Sequence, residues 1–126
     1  MNHIVDASAV LAFILQERGS EEAEVWLYGA AISAVNQSEV LRKLVDMGLP
    51  MADAQEQFDR CNLDVVPFDG TQAIEAARLR PPTRQFGFSF ADRACLALCK
   101  LKSLPVYTAD KDWSKLDLGI SIRQIR

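Results

Sequence analysis

The chain has 126 residues, of which 49% are hydrophobic and 25% charged, enough apolar material for one compact domain with a real core and little sign of disorder. Its net charge of −3 counts against a nucleic-acid binder that relies on a basic face. The longest strongly apolar stretch, residues 9–15, is too short to cross a bilayer, and Asp6 interrupts what would be a signal peptide's hydrophobic region, so a soluble, cytoplasmic protein is expected.

Along the chain the pattern is β/α alternation. Ile4 and Val5 end a short strand at Asp6, and the run from Ala7 to Leu15 continues as a buried helix. Ser20 is placed to cap a second helix whose first turn holds Glu21 and Glu22, favourable to the helix dipole. Residues 31–33 predict a second strand, followed by a helix to about Met47 with Leu41, Leu44 and Val45 on its apolar face and Gly48 at its end. Pro50 marks the start of the next helix, through about Arg60, and residues 63–68 read as a third strand closed by Pro67. A helix over 71–79 is expected to stop at Pro81 and Pro82, with a loop over 83–89 behind it. Phe90, Ala94, Ala97, Leu98 and Leu101 then mark a buried helix face, residues 105–108 a fourth strand, and residues 120–125 an edge strand. Five short strands separated by helices predict an α/β fold with a mostly parallel sheet in three layers. The whole of 1–126 reads as a single domain, without linker, repeat or low-complexity segment. Three cysteines without a CxxC pair argue against a disulfide framework, and Cys95 and Cys99, four apart on an apolar helix, read as core filler.

Asp6, Glu39, Asp92 and Asp110 stand where a predicted strand turns into a helix, or near a helix start. In an α/β protein such points gather at one edge of the sheet, so carboxylates far apart in sequence can converge. The only histidine, His3, lies beside the first strand, which leaves a serine triad or a paired-histidine mechanism without material. Oxygen-only ligands suit a hard ion, Mg²⁺ or Mn²⁺, able to orient a phosphodiester and activate water. Bound cations would also cancel the acids' charge and meet phosphate themselves, which softens the objection raised by the net charge.

Each acid has an ordinary use as well. Asp6 can cap the first helix, Glu39 can be a solvated helix residue, Asp92 suits a helix's first turn beside Arg93, and Asp110 and Asp112 suit a turn after a strand. The set is stronger than its members, because the strand ends coincide with acids.

Four segments carry a family likeness: Val5-Asp6-Ala7-Ser8-Ala9, residues 33–40 around Glu39, residues 91–98 beginning Ala91-Asp92-Arg93, and residues 106–113 containing Thr108-Ala109-Asp110-Lys111-Asp112-Trp113. In order and spacing they closely resemble the acidic motifs of PIN-domain ribonucleases, and among these the VapC-type toxins of bacterial toxin-antitoxin systems. The resemblance implies a PIN fold with Asp6, Glu39, Asp92 and Asp110 as the acidic cluster, Asp112 as a further acid, and Ser8 and Thr108 as supporting hydroxyls. It further implies Mg²⁺ or Mn²⁺, hydrolysis of RNA phosphodiesters, a homodimer, and a small VapB-type antitoxin that blocks the site. Trp113 stands where phenylalanine is more usual, and Ala91 where glycine is common; neither change removes a ligand.

Arg78, Arg80, Arg84, Arg93 and Lys111 lie near the third and fourth motifs, where cations can meet RNA phosphates. Phe86 and Phe88 read as packing rather than base stacking. Two alternatives remain: a non-catalytic PIN module that binds RNA or protein, and a receiver-like Mg²⁺-binding signalling domain. The receiver requires an acid pair at the first strand, where this chain has Asp6 followed by Ala7.

Overall fold

Ile4 and Val5 are too few to make more than the briefest strand, yet both are fully buried and they form the centre of the sheet. Their side chains enter opposite cores, as the two-residue period of a strand requires. Parallel strands covered on both faces read as continuous apolar runs, which accounts for Ile4-Val5 in β1 (Ile4–Val5), Ala31-Ile32 in β2 (Ala31–Ser33) and the wholly buried Val106 in β4 (Val106–Thr108). The structure is a computed structural model and describes residues 2–126. With β3 (Asp64–Val66) and β5 (Ile122–Gln124) at the edges, the sheet has five strands in the order β3-β2-β1-β4-β5, and every pair is parallel.

One face of the sheet carries α1 (Ala7–Ile14), α2 (Ala23–Trp26), α3 (Ala34–Asp46) and α4 (Met51–Asp59), with Trp26, Val40, Leu44 and Phe58 buried between them. The other carries α5 (Gly70–Arg78) and α7 (Phe90–Lys102), packed through Leu79, Leu96, Leu98 and Trp113. The result is a three-layer α/β fold. The chain winds outward from β1 through β2 to β3, then returns to the opposite side of β1 for β4 and β5. The reversal between β1 and β4 opens a crevice beyond the carboxyl ends of these two strands. The same order differs from the 2-1-3-4-5 arrangement of receiver domains, which removes that alternative.

Some local expectations are corrected. Ser20 does not cap a helix; it opens a 3₁₀ turn, Ser20–Glu22, and α2 follows it. Pro81 and Pro82 do not end the helical path but enter the first turn of a short helix, α6 (Arg80–Thr83), where a missing N–H breaks no bond. The expected loop over 83–89 contains a further 3₁₀ turn, Arg84–Phe86, closed by Gly87 in the left-handed region. The third strand is shorter than 63–68, and Val45, Phe90 and Leu101 are exposed, whereas Cys95, Leu96 and Cys99 fill the core side of α7. All three cysteines are free and buried.

Gly19 fixes how the last strand closes over the α1–α2 connection. Its φ is +100°, and a Cβ there would stand 2.8 Å from the main-chain oxygen of Ile125. Gly19→Ala therefore meets both a disfavoured backbone region and a main-chain clash, and urea unfolding should show a loss of at least about 1–2 kcal/mol.

Candidate active site

Asp6 is the residue at which β1 becomes α1. Its backbone is extended, its Oδ1 accepts from the N–H of Ala9 at 3.0 Å, and it thereby caps the helix. Capping accounts for one hydrogen bond of several. The Thr108 hydroxyl, at the end of β4, donates to Asp6 Oδ2 at 2.6 Å, and the Ser8 hydroxyl lies 2.8 and 2.9 Å from the two carboxylate oxygens. Those hydroxyls accept in turn: Ser8 Oγ from Ala109 N–H at 2.9 Å, Thr108 Oγ1 from Asp110 N–H at 3.0 Å. A hydrogen-bonded knot thus ties the end of β1 to the end of β4 and sets the direction in which the chain leaves toward Asp110.

This carboxylate is only 5% exposed. Burial pushes its pKa from 3.8 up to about 6; hydrogen bonds from Thr108, Ala9 and Ser8 oppose the rise, and the charge of Asp92 adds to it. Asp92, in the first turn of α7, forms a reciprocal capping box with Ser89: the Ser89 N–H donates to Asp92 Oδ2 at 3.0 Å and the Asp92 N–H to Ser89 Oγ at 3.1 Å. Its pKa is also raised, by burial first and by the charge of Asp110, against the pull of Ser89 and Lys43. Asp110 caps the 3₁₀ turn Lys111–Lys115, its Oδ1 accepting from the Asp112 N–H at 2.9 Å. Asp6, Asp92 and Asp110 therefore come within electrostatic reach of one another beyond the carboxyl ends of β1 and β4.

Glu39 approaches from α3. Its Oε1 lies 3.4 Å from Asn36 Nδ2, which also donates to the main-chain oxygen of Ala91 at 3.0 Å. Asn36 is 1% exposed and so pins α3 to the start of α7 from inside the molecule, linking the helix of Glu39 with that of Asp92. Lys43 Nζ stands 3.9 Å from Glu39 Oε2, one helical turn on. Asp112 points outward and pairs with Lys115 at 3.0 Å. As the side chains stand, no three acidic, histidine or cysteine residues among the described residues are grouped tightly enough to grip an ion.

Beside Asp110 runs a cleft of about 520 Å³, lined by Ser8, Lys43, Asp46 and Asp110, by the apolar Leu11, Leu15 and Met47, and by Glu17 and Arg126. The expected substrate cations do not themselves line this cleft. Arg93 turns toward α5, donating to the Ala76 main-chain oxygen at 3.1 Å with its guanidinium 5.8 Å from the Phe90 ring. Arg80 and Arg84 sit exposed on the turns after α5, and Lys111 holds the main-chain oxygen of Arg126. Phe88 is buried against Trp113, ring centroids 5.6 Å apart. Neither the cleft nor Lys43 emerged from the sequence. The available signal was spacing: Lys43 lies four residues after Glu39 on one helix, and such residues share a face.

The raised pKa of Asp6 gives stability a pH signature. Between its unfolded value of 3.8 and its folded value of about 6 the folded protein holds the extra proton, so this group's contribution is present at low pH and is lost as pH rises through 6. From pH 4 to pH 7 in metal-free buffer, urea unfolding should show Asp6→Asn gaining roughly 2 kcal/mol relative to wild type.

A family model described as PIN domain matches residues 3–118. No curated protein matches the chain by sequence. Solved structures similar to this chain include the DNA-bound VapBC of Salmonella typhimurium, with a TM-score of 0.78 and 16% identity over 100% of this chain and 99% of that one. VapBC2 of Rickettsia felis bound to a promoter DNA fragment superimposes with a TM-score of 0.77 at 14% identity, covering 98% of each chain. VapBC-5 of Mycobacterium tuberculosis gives a TM-score of 0.63 at 25% identity over 99% of this chain and 98% of that one. A family match spanning nearly the whole sequence, on a three-layer sheet of this strand order, means that the chain belongs to the PIN domain family.

Proposed function

We propose that this protein is a metal-dependent endoribonuclease and the toxin of a VapBC-type toxin-antitoxin pair. The observation that carries the reading is the buried Asp6 carboxylate at the β1–β4 crevice, within electrostatic reach of Asp92, which in turn senses Asp110. Asp6 and Asp92, each with its pKa raised first by burial and further by a neighbouring carboxylate, would together with Asp110 and with Glu39 on the neighbouring helix make an all-oxygen donor set whose charge suits a hard divalent cation better than any softer ion. Asp6, Asp92 and Asp110 would hold Mg²⁺ or Mn²⁺, with Glu39 as a further ligand or as the group that orients the attacking water. Bound there, the ion supplies Lewis acidity to the scissile phosphate and lowers the pKa of a coordinated water.

The remaining work belongs to the chain itself. Thr108 and Ser8 hold the Asp6 carboxylate by its two oxygens and so fix where its free lone pairs point. The Ser89 capping box does the same for Asp92. Asp112, paired with Lys115 and exposed, is a secondary acid that serves only if its side chain turns inward.

Support for a protein partner comes from the cleft, which Leu11, Leu15 and Met47 line together with Ser8 and Asp110. A small antitoxin segment laid along it would cover Ser8 and Asp110 and block access to the acids. Several similar structures are described as VapBC or toxin-antitoxin complexes, which fits such a partner; the reading also includes a homodimer of the toxin itself. Among the described residues no helix is long and apolar enough to cross a membrane, in keeping with action on cytoplasmic RNA.

Purified, partner-free protein should cleave total cellular RNA with Mg²⁺ or Mn²⁺ and not with EDTA, and Asp6→Asn and Asp92→Asn should each lower the rate by about 10²–10⁴-fold. RNA binding that survives while no variant or metal changes any cleavage would support the non-catalytic module instead. In a separate experiment, Mn²⁺ at about a hundred times its Kd should stabilise the wild type by about 2.7 kcal/mol. Asp6→Asn should gain far less; equal melting temperatures with and without Mn²⁺ in both proteins would sink the metal site.

A further inference from the structure

Metal ions held by the acids would meet the phosphate being cut, but the flanking phosphates of an RNA strand lie beyond them and favour a side-chain cation that opens onto the same cleft. The arginines and the lysine nearest the acids in sequence do not provide it: Arg93 is bound to α5, and Lys111 is bound to the main chain of Arg126. Of the cations that line the cleft, Arg126 donates to Glu17 at 3.3 Å and to the Arg18 main-chain oxygen at 3.1 Å. Lys43 is different. It lines the same cleft as Ser8 and Asp110, it is 43% exposed, and its ammonium makes no hydrogen bond among the described residues, since Glu39 lies beyond hydrogen-bond distance at 3.9 Å. Its neighbour Arg42 faces outward and is fully engaged by Asp46 at 2.9 Å.

We propose that Lys43 is the substrate-phosphate contact of this site: its ammonium, only loosely paired with Glu39 and lining the same cleft as Ser8 and Asp110, binds a backbone phosphate of single-stranded RNA and holds the strand against Asp6, Asp92 and Asp110. The inference rests on the nuclease reading above and adds the residue that receives the substrate. The competing role, a resident counter-ion for Glu39, is weak on the geometry, because the pair is 3.9 Å long and its lysine end is open to solvent. A lysine suits the task because it acts as a mobile point charge and carries no base specificity. The contact is therefore sequence-independent; choice among RNAs must come from elsewhere on the surface.

The two roles separate experimentally. Binding of a fluorescent single-stranded RNA of mixed sequence would be measured by anisotropy across a salt series, with Asp6→Asn as the background so that nothing is cleaved. Adding Lys43→Gln should weaken binding roughly three- to tenfold at low salt and make the salt dependence shallower by about 0.7 in log–log slope. Lys43→Arg should keep most of the affinity and the slope, while Arg60→Gln, which removes an exposed charge on α4, should leave both unchanged. In steady-state cleavage with the otherwise unaltered site, Lys43→Gln should raise KM and leave kcat within about twofold. Unchanged affinity and slope in Lys43→Gln overturns the proposal, as does an arginine variant as poor as the glutamine one. A fall in kcat at constant KM would also overturn it and assign Lys43 to Glu39. If wild type cleaves no RNA, the nuclease reading falls while the binding series still decides whether Lys43 meets phosphate.

Discussion

The Asp6 carboxylate is the constraint on which the site depends. It is buried at the junction of the two central strands and receives hydrogen bonds from Ala9 on its own helix, from Ser8, and from Thr108 on β4. An acid so placed needs every one of those bonds, since a buried carboxylate without partners is among the most costly groups a fold can hold. Meeting that need joins β1 to β4 and starts α1. Through Thr108 and Ser8, it also sets the path of Ala109 and Asp110.

The other acids are held by the same economy. Asp92 is at once a capping residue for α7 and a charged group facing Asp6 and Asp110. Asp110 caps the turn that follows β4. Glu39 is the exception: it lies within α3 rather than at its end, and its position comes from Asn36, which reaches from beneath it to the Ala91 main chain. Helix ends thus fix three of the acids by local chemistry, while the fourth relies on a cross-helix bond between residues 55 apart in sequence.

Around this centre the molecule separates its tasks. The α5–α7 side is a closed core of Leu79, Leu96, Leu98 and Trp113, and it takes in Phe88 and the backward-turned Arg93. The α1–α3 side opens into the cleft, with an apolar floor and Lys43 beside the acids. Net negative charge would be compatible with a nucleic-acid substrate in such an arrangement, because one well-placed cation and any ions bound by the acids would act locally whatever the sum over the surface.

What could be read from the sequence were the features with local causes. Apolar strand runs and the β/α alternation gave the layered parallel sheet, and the acids at strand ends gave the caps of Asp6 and Asp110, since strand period, helix capping and the topology of parallel sheets leave few alternatives. Local rules misled at Ser20, and at Pro81 and Pro82, where position within a turn mattered more than residue type. The direction of long side chains was not legible at all. Arg93 stands next to Asp92 in sequence yet binds α5, whereas Lys43, in a different helix from Asp92, lies beside the acids. Sequence fixes which groups a strand end or helix turn will offer. Only packing of one helix against another decides which cation enters the crevice, because long side chains settle wherever neighbouring surfaces leave room and an unpaired acceptor.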